Sequence, residues 1–515
     1  MAAPAATAAA GFSFGVAAAD VTATSALLWT RSDVSGPVTL RVMRAGRVTQ
    51  RYNASADPAR DNTVRVRVRR LRPGNRYRYS FHMGAAASAS GAFETAPAHR
   101  SRTPVRFAFS GDADGARVPG ASKPHYNDFQ VYDRMRLEGN DFNVNLGDTI
   151  YSDSEISGLP RALTLADKWV RYRQNLAFPN LAALRRSASL YSEWDDHELI
   201  NDFSVREHGR ALFDAGSRAF LDYAPASRGR RLGLYRHFRW GRNLELFILD
   251  ERSFRSPKAS WRHVCDNPYG SIRLDLAPTA PQRLRSAFGY VIPSLRNPTP
   301  PACLAAINDP ARTFLGRPQL RRFMHDISHS RATFKVVLNE VPIQQFYALP
   351  YDRWEGYAAE RNTLLRFLRR RVRNVVFLST DVHANMVNQV RLRTLEPGGP
   401  TDTGILEVTT GPVATRTFAR EIDDNLGIKD AGNAVGRLFF KPPPPAGVGM
   451  LCAALDVYSY AEVRVTHRTL SIAPKDLYGR RVREPSGNAC GPYRIRAASE
   501  RRQPRRGTSS GKRQR

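Results

Sequence analysis

The chain has 515 residues, with 78 Lys and Arg against 47 Asp and Glu, so its formal charge is 78 − 47 = +31. Its 42% hydrophobic content with 10% aromatic residues excludes a wholly disordered chain, and no run of about 18 apolar residues is available to span a bilayer. The length predicts two to four domains with a sizeable core.

The positive charge is mostly arginine, since Lys supplies only 8 of the 78 basic residues. Arginine pairs well with phosphate and carboxylate, so a polyanion is one candidate partner and a solvated, salt-bridged surface is the alternative. Only residues 500–515 are dense enough in charge to form a separate arm, which we predict to be disordered. Basic motifs with interleaved aromatics do not occur, so we predict no specific nucleic-acid binding.

The first segment, residues 12–97, is predicted to be an antiparallel β-sandwich. Valines at 64, 66 and 68 alternate with arginines at 65, 67 and 69, which indicates a strand with one solvated face. A turn pattern at residues 71–75 precedes another strand-like run. The Ala-rich residues 1–10 lack a basic region and a Leu-rich run, so they are not expected to act as a signal peptide as written.

The second segment, residues 104–478, has the pattern of an α/β domain. Apolar runs that end in polar residues begin near residues 105, 142, 244, 334 and 374, and helical patterns such as 128–138 lie between them. Residues 256–312 are Pro-rich and are expected to be an irregular insertion. Ligands of such sheets bind beyond the strand ends, which directs attention to the acids there.

Carboxylates or histidine follow four of the predicted strands. In Asp381-Val382-His383 the i, i+2 spacing on a predicted strand would point both side chains to one face. Each segment alone fits an ordinary turn, but together their mutual repulsion would require cations. Oxygen ligands with one or two His suit Ca, Mg, Mn, Fe or Zn, and two-metal sites commonly serve phosphoester hydrolysis. The candidates are Asp112, Asp114, Asp148, Tyr151, Asp195, Asp196, His197, Glu198, Asp381 and His383.

The four cysteines have no CxxC spacing, which argues against a zinc ribbon. Cys265 and Cys303 bracket the insertion, and Cys452 and Cys490 could close the C-terminal segment in the same way. Three pairings are possible, and four free thiols are the alternative. Disulfides would indicate an oxidising compartment.

These motifs resemble the alkaline phosphatase D (PhoD-like) metallophosphatases over residues 12–476. Residues 12–17, 28–31 and 71–77 resemble the family's N-terminal domain. The resemblance in the core is carried by Gly147-Asp148 with Tyr151, by Trp194-Asp195-Asp196-His197-Glu198, by Asp381-Val382-His383, and by residues 249–252, 339–342 and 352–357.

The resemblance implies a four-layer α/β metallophosphatase core, with two stacked mixed β-sheets flanked by helices, behind a fibronectin III-like sandwich. It implies phosphomonoesterase and phosphodiesterase activity, with a metal-bound hydroxide attacking phosphorus in line at a calcium–iron type centre. By position, Asp148 would bridge metals, Tyr151 would ligate iron, and Asp381 and His383 would be further ligands. Asp196 would replace the Asn of the superfamily's Gly-Asn-His motif, and His197 would protonate the leaving group or stabilise the transition state.

The sequence departs from the family at one place. The family's Ser-Cys pair, whose Cys ligates iron, is replaced by Ser110-Gly111-Asp112-Ala113-Asp114. This segment is similar to the Gly-Asp-x-His-Gly opening of ordinary metallophosphatases, with Asp114 in the histidine's place. Carboxylates favour harder cations, so Fe(III), Mn, Mg and Ca all stay open.

Two other functions are weighed against a phosphatase. One is a non-catalytic polyanion binder, and the other is a metal-dependent phosphodiesterase or nuclease with little monoesterase activity. By family resemblance we expect a monomer that acts on a phosphoester substrate and is secreted or held in the cell envelope, with a cytoplasmic location as the alternative.

Overall fold

A computed structural model describes residues 11–156, 158–229, 231–267 and 272–498 of the chain. The predicted arm at residues 500–515 and the Ala-rich residues 1–10 lie outside these ranges.

The N-terminal segment is an antiparallel β-sandwich, as predicted. One face consists of β1, β2 and β5, and the other of β3, β4, β6, β7 and β8. Alternating apolar side chains, such as Val38 and Leu40 from one sheet and Val64 and Val66 from the other, are buried between them. The strands are β1 Val16–Ala19, β2 Ala26–Arg31, β3 Gly36–Arg44, β4 Arg47–Ala56, β5 Thr63–Val68, β6 Arg76–Met83, β7 Ala86–Ala87 and β8 Gly91–Glu94.

The arginine face of β5 is only partly solvated, because Arg65 and Arg67 are half-buried while Arg69, just after the strand, is exposed. Arg65 donates to the carbonyl of Ala226 at 2.5 Å and Arg67 donates to the hydroxyl of Ser227, so both side chains are partly buried against the core. The alternation identifies the two faces of a strand, but it does not reveal that a neighbouring segment covers the polar one.

The remaining strands complete two large sheets. The nine-stranded sheet has the order β21-β20-β19-β9-β10-β11-β1-β2-β5, and the seven-stranded sheet has the order β12-β13-β14-β15-β17-β16-β18. These strands are β9 Val105–Ser110, β10 Phe142–Leu146, β11 Ser189–Glu193, β12 Arg236–Trp240, β13 Leu244–Ile248, β14 Phe334–Leu338, β15 Val375–Ser379, β16 Asn385–Arg391, β17 Asp402–Thr409, β18 Cys452–Ala454, β19 Ser459–Val465, β20 Thr469–Asp476 and β21 Tyr493–Arg496.

The first sheet of the sandwich continues into the core. Strand β1 pairs in parallel with β11 through Ala18 opposite Ser189, so β1, β2 and β5 form the end of the nine-stranded sheet. The division into residues 12–97 and 104–478 stays a prediction, because the two segments share this sheet.

The core has four layers, as the family resemblance implies. Side chains of both large sheets meet in one apolar cluster, helices such as α1 and α5 cover the nine-stranded sheet, and α8 and α9 cover the other. The helices are α1 Gln130–Leu137, α2 Leu165–Leu176, α3 Pro179–Ser187, α4 Val205–His208, α5 Arg210–Tyr223, α6 Gln282–Phe288, α7 Pro301–Asn308, α8 Arg317–His329, α9 Ala358–Arg371, α10 Phe418–Leu426 and α11 Ala431–Val435. In the described ranges, no helix has the length and apolarity needed to cross a membrane.

The insertion at residues 256–312 is less irregular than expected, since it contains α6 and α7. Two disulfides close segments of the chain, Cys265–Cys303 within this insertion and Cys452–Cys490 near the C-terminus. Of the pairings that the sequence left open, the structure therefore contains the two that staple these segments, and the free-thiol alternative is wrong.

The parallel strands of both sheets end at one edge of the core. Strands β9, β10 and β11 run parallel in one sheet, and β13, β14, β15 and β17 run parallel in the other. Their carboxyl ends bring the polar segments that follow them together, as expected for ligand sites of α/β sheets.

Candidate active site

The site begins where the backbone leaves these strands. Asp112, Asp148 and Asp381 have φ values of 60°, 47° and 64°, in the left-handed region that side-chain-bearing residues rarely adopt. Gly147 has a φ of 82°, and a Cβ there would lie 2.9 Å from Cβ of Asp195. Backbone strain of this kind concentrates at functional sites because the surrounding structure must maintain it.

The predicted strand at Asp381 and His383 is wrong. Strand β15 ends at Ser379, and His383 has a φ of 51°, so both residues belong to a left-handed loop rather than to one face of a strand. Their positive φ values cannot be accommodated in an extended strand.

Two sets of potential ligand atoms share one aspartate. Asp112, Asp148 and His383 form the first set, and Asp148, Asp196 and His197 form the second. Within each set the ligand atoms lie within 4.8 Å of one another. Asp148 is therefore common to both sets of potential ligands.

The donor set of these residues fits metal ions. Asp112 and Asp148 are buried, and burial raises the pKa of both carboxyls well above the usual range, with the Asp195 carboxylate adding to the effect at Asp112. One oxygen of Asp112 accepts from the Asp381 N–H at 3.3 Å, while the other is buried without a partner. Buried carboxylates of this kind require a nearby positive charge to stay ionised.

Three ring side chains of the site, from Tyr151, His197 and His383, lie close together. The Tyr151 hydroxyl lies 3.0 Å from Nε2 of His383, and the Tyr151 ring stacks on the His197 ring with centroids 4.1 Å apart. Burial, and then His197, lower the pKa of His383 to about 3, so its imidazole is neutral and able to act as a ligand.

His197 has the opposite electrostatic environment. Burial alone would lower its pKa, but the carboxylates of Asp148, Asp196 and Asp153 raise it well above the usual range. Nδ1 of His197 lies 2.6 Å from an Asp153 oxygen. Asp153 was not among the residues predicted from the sequence, although it lies only two positions after Tyr151.

A third set contains two acids that sequence reasoning did not assign, Asp202 and Asp352, together with Asp196. Protein cations already neutralise this set, because Lys258 lies 2.7 Å from Asp202 and Arg252 lies 2.8 Å from Asp352. Asp352 belongs to residues 352–357, which resemble a family element, and this resemblance could have indicated it as a site residue. Asp202 follows no strand, and no sequence pattern indicates it.

Arg252 is the main internal counter-charge of the site. Its side chain is fully buried and lies 2.5 Å from Asp195, 3.3 Å from Asp196 and 3.9 Å from Asp381. Burial alone would lower the pKa of Arg252, but the carboxylates of Asp195, Asp196 and Asp352 raise it well above its usual range. The guanidinium therefore stays charged.

The other predicted ligands have different surroundings. Both oxygens of Asp114 are engaged, one by the Ser154 hydroxyl at 2.6 Å and one by the Ala116 N–H at 2.9 Å. Asp195 forms an ion pair with Arg252, and burial raises the pKa of Asp195 to about 7. Asp381 lines the same cavity as Asp148 and His197, although it joins neither of the two ligand sets.

The remaining member of the Trp-Asp-Asp-His-Glu run, Glu198, lies behind the site. Its carboxylate accepts from the N–H groups of Thr149 and Asp195 at 2.6 and 2.9 Å. It therefore links the loop after β10 to the loop after β11. The open cavity above these loops has a volume of about 310 Å³.

Together, the four layers and the acids at the shared sheet edge define a metallophosphatase-type fold. The PhoD-like phosphatase profile matches residues 117–444, and the profile of the PhoD-like phosphatase N-terminal domain matches residues 1–97. The chain belongs to the PhoD-like phosphatase family.

Individual relatives agree with this assignment. Alkaline phosphatase D of Bacillus subtilis (strain 168) is 24% identical over 430 residues, covering 74% of this chain and 66% of that protein, just under two thirds of its length. The structure of PhoD is similar with a TM-score of 0.70 at 20% identity, covering 95% of this chain and 90% of that one. The purple acid phosphatase PPD1 from yellow lupin (Lupinus luteus) seeds shares the fold with a TM-score of 0.56 at 11% identity, covering 94% and 73%.

Proposed function

We propose that the protein is a metal-dependent phosphoester hydrolase that acts on phosphomonoesters and phosphodiesters. The observation that carries the proposal is the position of Asp148 in both ligand sets, since one carboxylate shared by two adjacent sets suits a two-metal site. Membership of the PhoD-like phosphatase family and the relative named alkaline phosphatase D support the reaction class.

The ligand sets suggest which residues would hold the cations. Asp112, Asp148 and His383, with Tyr151 beside His383, would hold one, and Asp148, Asp196 and His197 face the other. Family resemblance favours calcium with iron, while Asp112 and Asp114 in place of the family's Cys leave Mn, Mg and Zn open. When bound, such cations lower the pKa of water to supply the nucleophile and polarise the phosphoryl oxygens.

The chain's own residues would direct the proton transfer. Asp153 holds Nδ1 of His197, so Nε2 is the nitrogen left to donate a proton to the leaving-group oxygen. Asp196 is held in turn, because one of its oxygens accepts from the Asp202 N–H at 2.6 Å. Both side chains line the cavity and are fixed before substrate arrives.

Positive side chains at the cavity would attract and orient the substrate. Lys258 and Arg416 line the cavity beside the acids, and Arg416 is only loosely paired, at 3.5 Å from both Glu155 and Asp424. The surrounding positive charge of the protein would raise the local concentration of phosphorylated substrates, as expected for electrostatic steering.

A test combines chelation with two chromogenic substrates. We expect dialysis against a chelator to abolish hydrolysis of nitrophenyl phosphate and bis-nitrophenyl phosphate, and metal addition to restore both. Activity that survives complete metal removal would contradict the proposal. A rate on the bis ester that far exceeds the monoester rate would restrict the function to a phosphodiesterase.

We further propose that the protein works in an oxidising compartment, outside the cytoplasm. The disulfides Cys265–Cys303 and Cys452–Cys490 support this, because such bonds are rare in reducing compartments. Thiol titration of freshly isolated protein should detect no free thiol before reduction and four thiols after it. Four thiols before reduction would contradict an oxidising location.

A further inference from the structure

A second cavity lies apart from the candidate active site. It has a volume of about 690 Å³ and is bounded by α7, α9 and the segment between β16 and β17. Its volume is within the range of small-molecule sites. None of the candidate metal ligands lines it.

One wall of this cavity is strongly basic. Arg366, Arg369 and Arg370 lie three and four positions apart on α9, which places them on neighbouring turns of one helix face, and Arg393 of the β16–β17 segment also lines the cavity. In the described residues, none of these four arginines forms an ion pair. Cations near a helix C-terminus are favourable, but Arg366 lies outside the last turn, so that effect does not account for it.

The acids of the cavity do not neutralise this wall. Glu355 accepts the N–H groups of Phe346 and Tyr347, and Glu396 accepts the Tyr347 hydroxyl and the Thr394 N–H. Their carboxylates are therefore used within the protein. With Arg361, which also lines the cavity, five arginines face two acids, a net charge of +3.

The lining also contains an apolar wall, formed by Leu304, Ile307, Leu392, Pro278 and Ala280. A cavity lined by both basic and apolar side chains fits a ligand that carries an anionic head and an apolar body. Arginine recognises phosphate better than lysine does, because its planar group can donate two parallel hydrogen bonds.

We propose that this cavity, the α9 cavity, is a second binding site that takes an organic phosphate with an apolar group. The site is separate from the reaction, so it does not depend on the proposed function. Arg366, Arg369 and Arg393 would contact the phosphate, and the wall around Ile307 and Leu392 would contact the apolar group.

Phenylphosphonate is a suitable probe, because its carbon–phosphorus bond is not a phosphoester bond and a phosphoester hydrolase does not cleave it. Titration calorimetry of the metal-loaded protein should show two binding events, at the active site and at the α9 cavity. In the double variant R366Q/R369Q we expect the second event to weaken about tenfold or more, with unchanged kinetics on nitrophenyl phosphate. The matched control is R317Q/R321Q, two exposed arginines four positions apart on α8 that do not line the cavity.

The outcomes are distinct. Binding of phenylphosphonate by R366Q/R369Q with the same affinity and stoichiometry as the unmodified protein, or an equal loss in both double variants, would overturn the proposal. Inorganic phosphate forms the second arm, and we expect it to bind the α9 cavity more weakly than phenylphosphonate. Equal binding of the two probes would overturn the assignment of an apolar group to the ligand.

Discussion

Nδ1 of His197 lies 2.6 Å from Oδ1 of Asp153, and the other oxygen of Asp153 accepts from the Asn201 N–H at 2.7 Å. The carboxylate therefore fixes the imidazole and also ties the loop after β10 to the loop after β11. A histidine held in this way presents one defined nitrogen to the cavity. Asp153 is a positioning residue, since it acts through His197.

The variant D153N should separate orientation of His197 from metal binding. We expect kcat on nitrophenyl phosphate to fall about 10- to 100-fold, with KM and metal content little changed, because the amide no longer fixes the charged ring. Steady-state kinetics and metal analysis measure both effects. D214N, which changes an exposed acid on α5, is the control. An unchanged kcat would contradict the role of Asp153.

Arg252 should stabilise the fold by balancing the buried carboxylates around it. In the variant R252M, Asp195 loses its guanidinium partner and Asp352 keeps only Arg255, and we expect the free energy of unfolding to fall by about 3–5 kcal/mol. Urea denaturation of the metal-free protein measures this. R236M removes a similarly buried guanidinium from Asp20 and Glu193, so it should lose comparable stability while keeping more activity. Unaltered stability in R252M would contradict this account of Arg252.

Asp61 joins the sandwich to the helices of the core and should make stability depend on pH. It accepts from Arg31 at 3.1 Å and also from Arg173 on α2 and Tyr223 on α5. Burial alone would raise its pKa, but the bonds from Arg31 and Tyr223 lower it below the ordinary value of 3.8. The carboxylate therefore contributes stability above pH 3.8, and the contribution is lost as the pH falls through its lowered pKa.

The variant D61N tests this dependence. We expect it to be less stable than the unmodified protein at pH 7 and to approach it as the pH falls below about 4. Urea denaturation over a pH series measures the difference, with D214N as the control that should track the unmodified protein. A difference that stays constant down to pH 3 would rule out Asp61 as the group responsible.

Much of the site could be predicted because it follows strands that are easy to recognise. The runs before Asp112, Asp148 and Asp195 are buried strands, and parallel strands bring their carboxyl ends to one edge. The repeated pattern of an apolar run followed by an acid therefore predicts that these acids lie together at one edge of the core. The disulfides were also accessible as one of several pairings, because each closes a segment of the chain.

The remaining features depend on tertiary contacts that sequence patterns do not express. The left-handed backbone at His383 breaks the predicted strand, and only the packed loop maintains it. Asp114 follows a strand like its neighbours, yet Ser154 from another loop takes its carboxylate. Asp352 lies about 150 positions after Asp202 in the sequence, yet both belong to one set with Asp196. The buried Arg252 contacts Asp196 and Asp352 and so links them.

We propose that Asp148 holds the cations on which phosphoester hydrolysis by this protein depends. Metal analysis of the purified variant D148N, together with its rate on nitrophenyl phosphate, tests the claim most directly, with D214N as the control and thermal unfolding to establish that each variant is folded. We predict that folded D148N loses bound metal and hydrolyses the ester about 100-fold more slowly or worse. Full metal content and full activity in D148N would contradict the account.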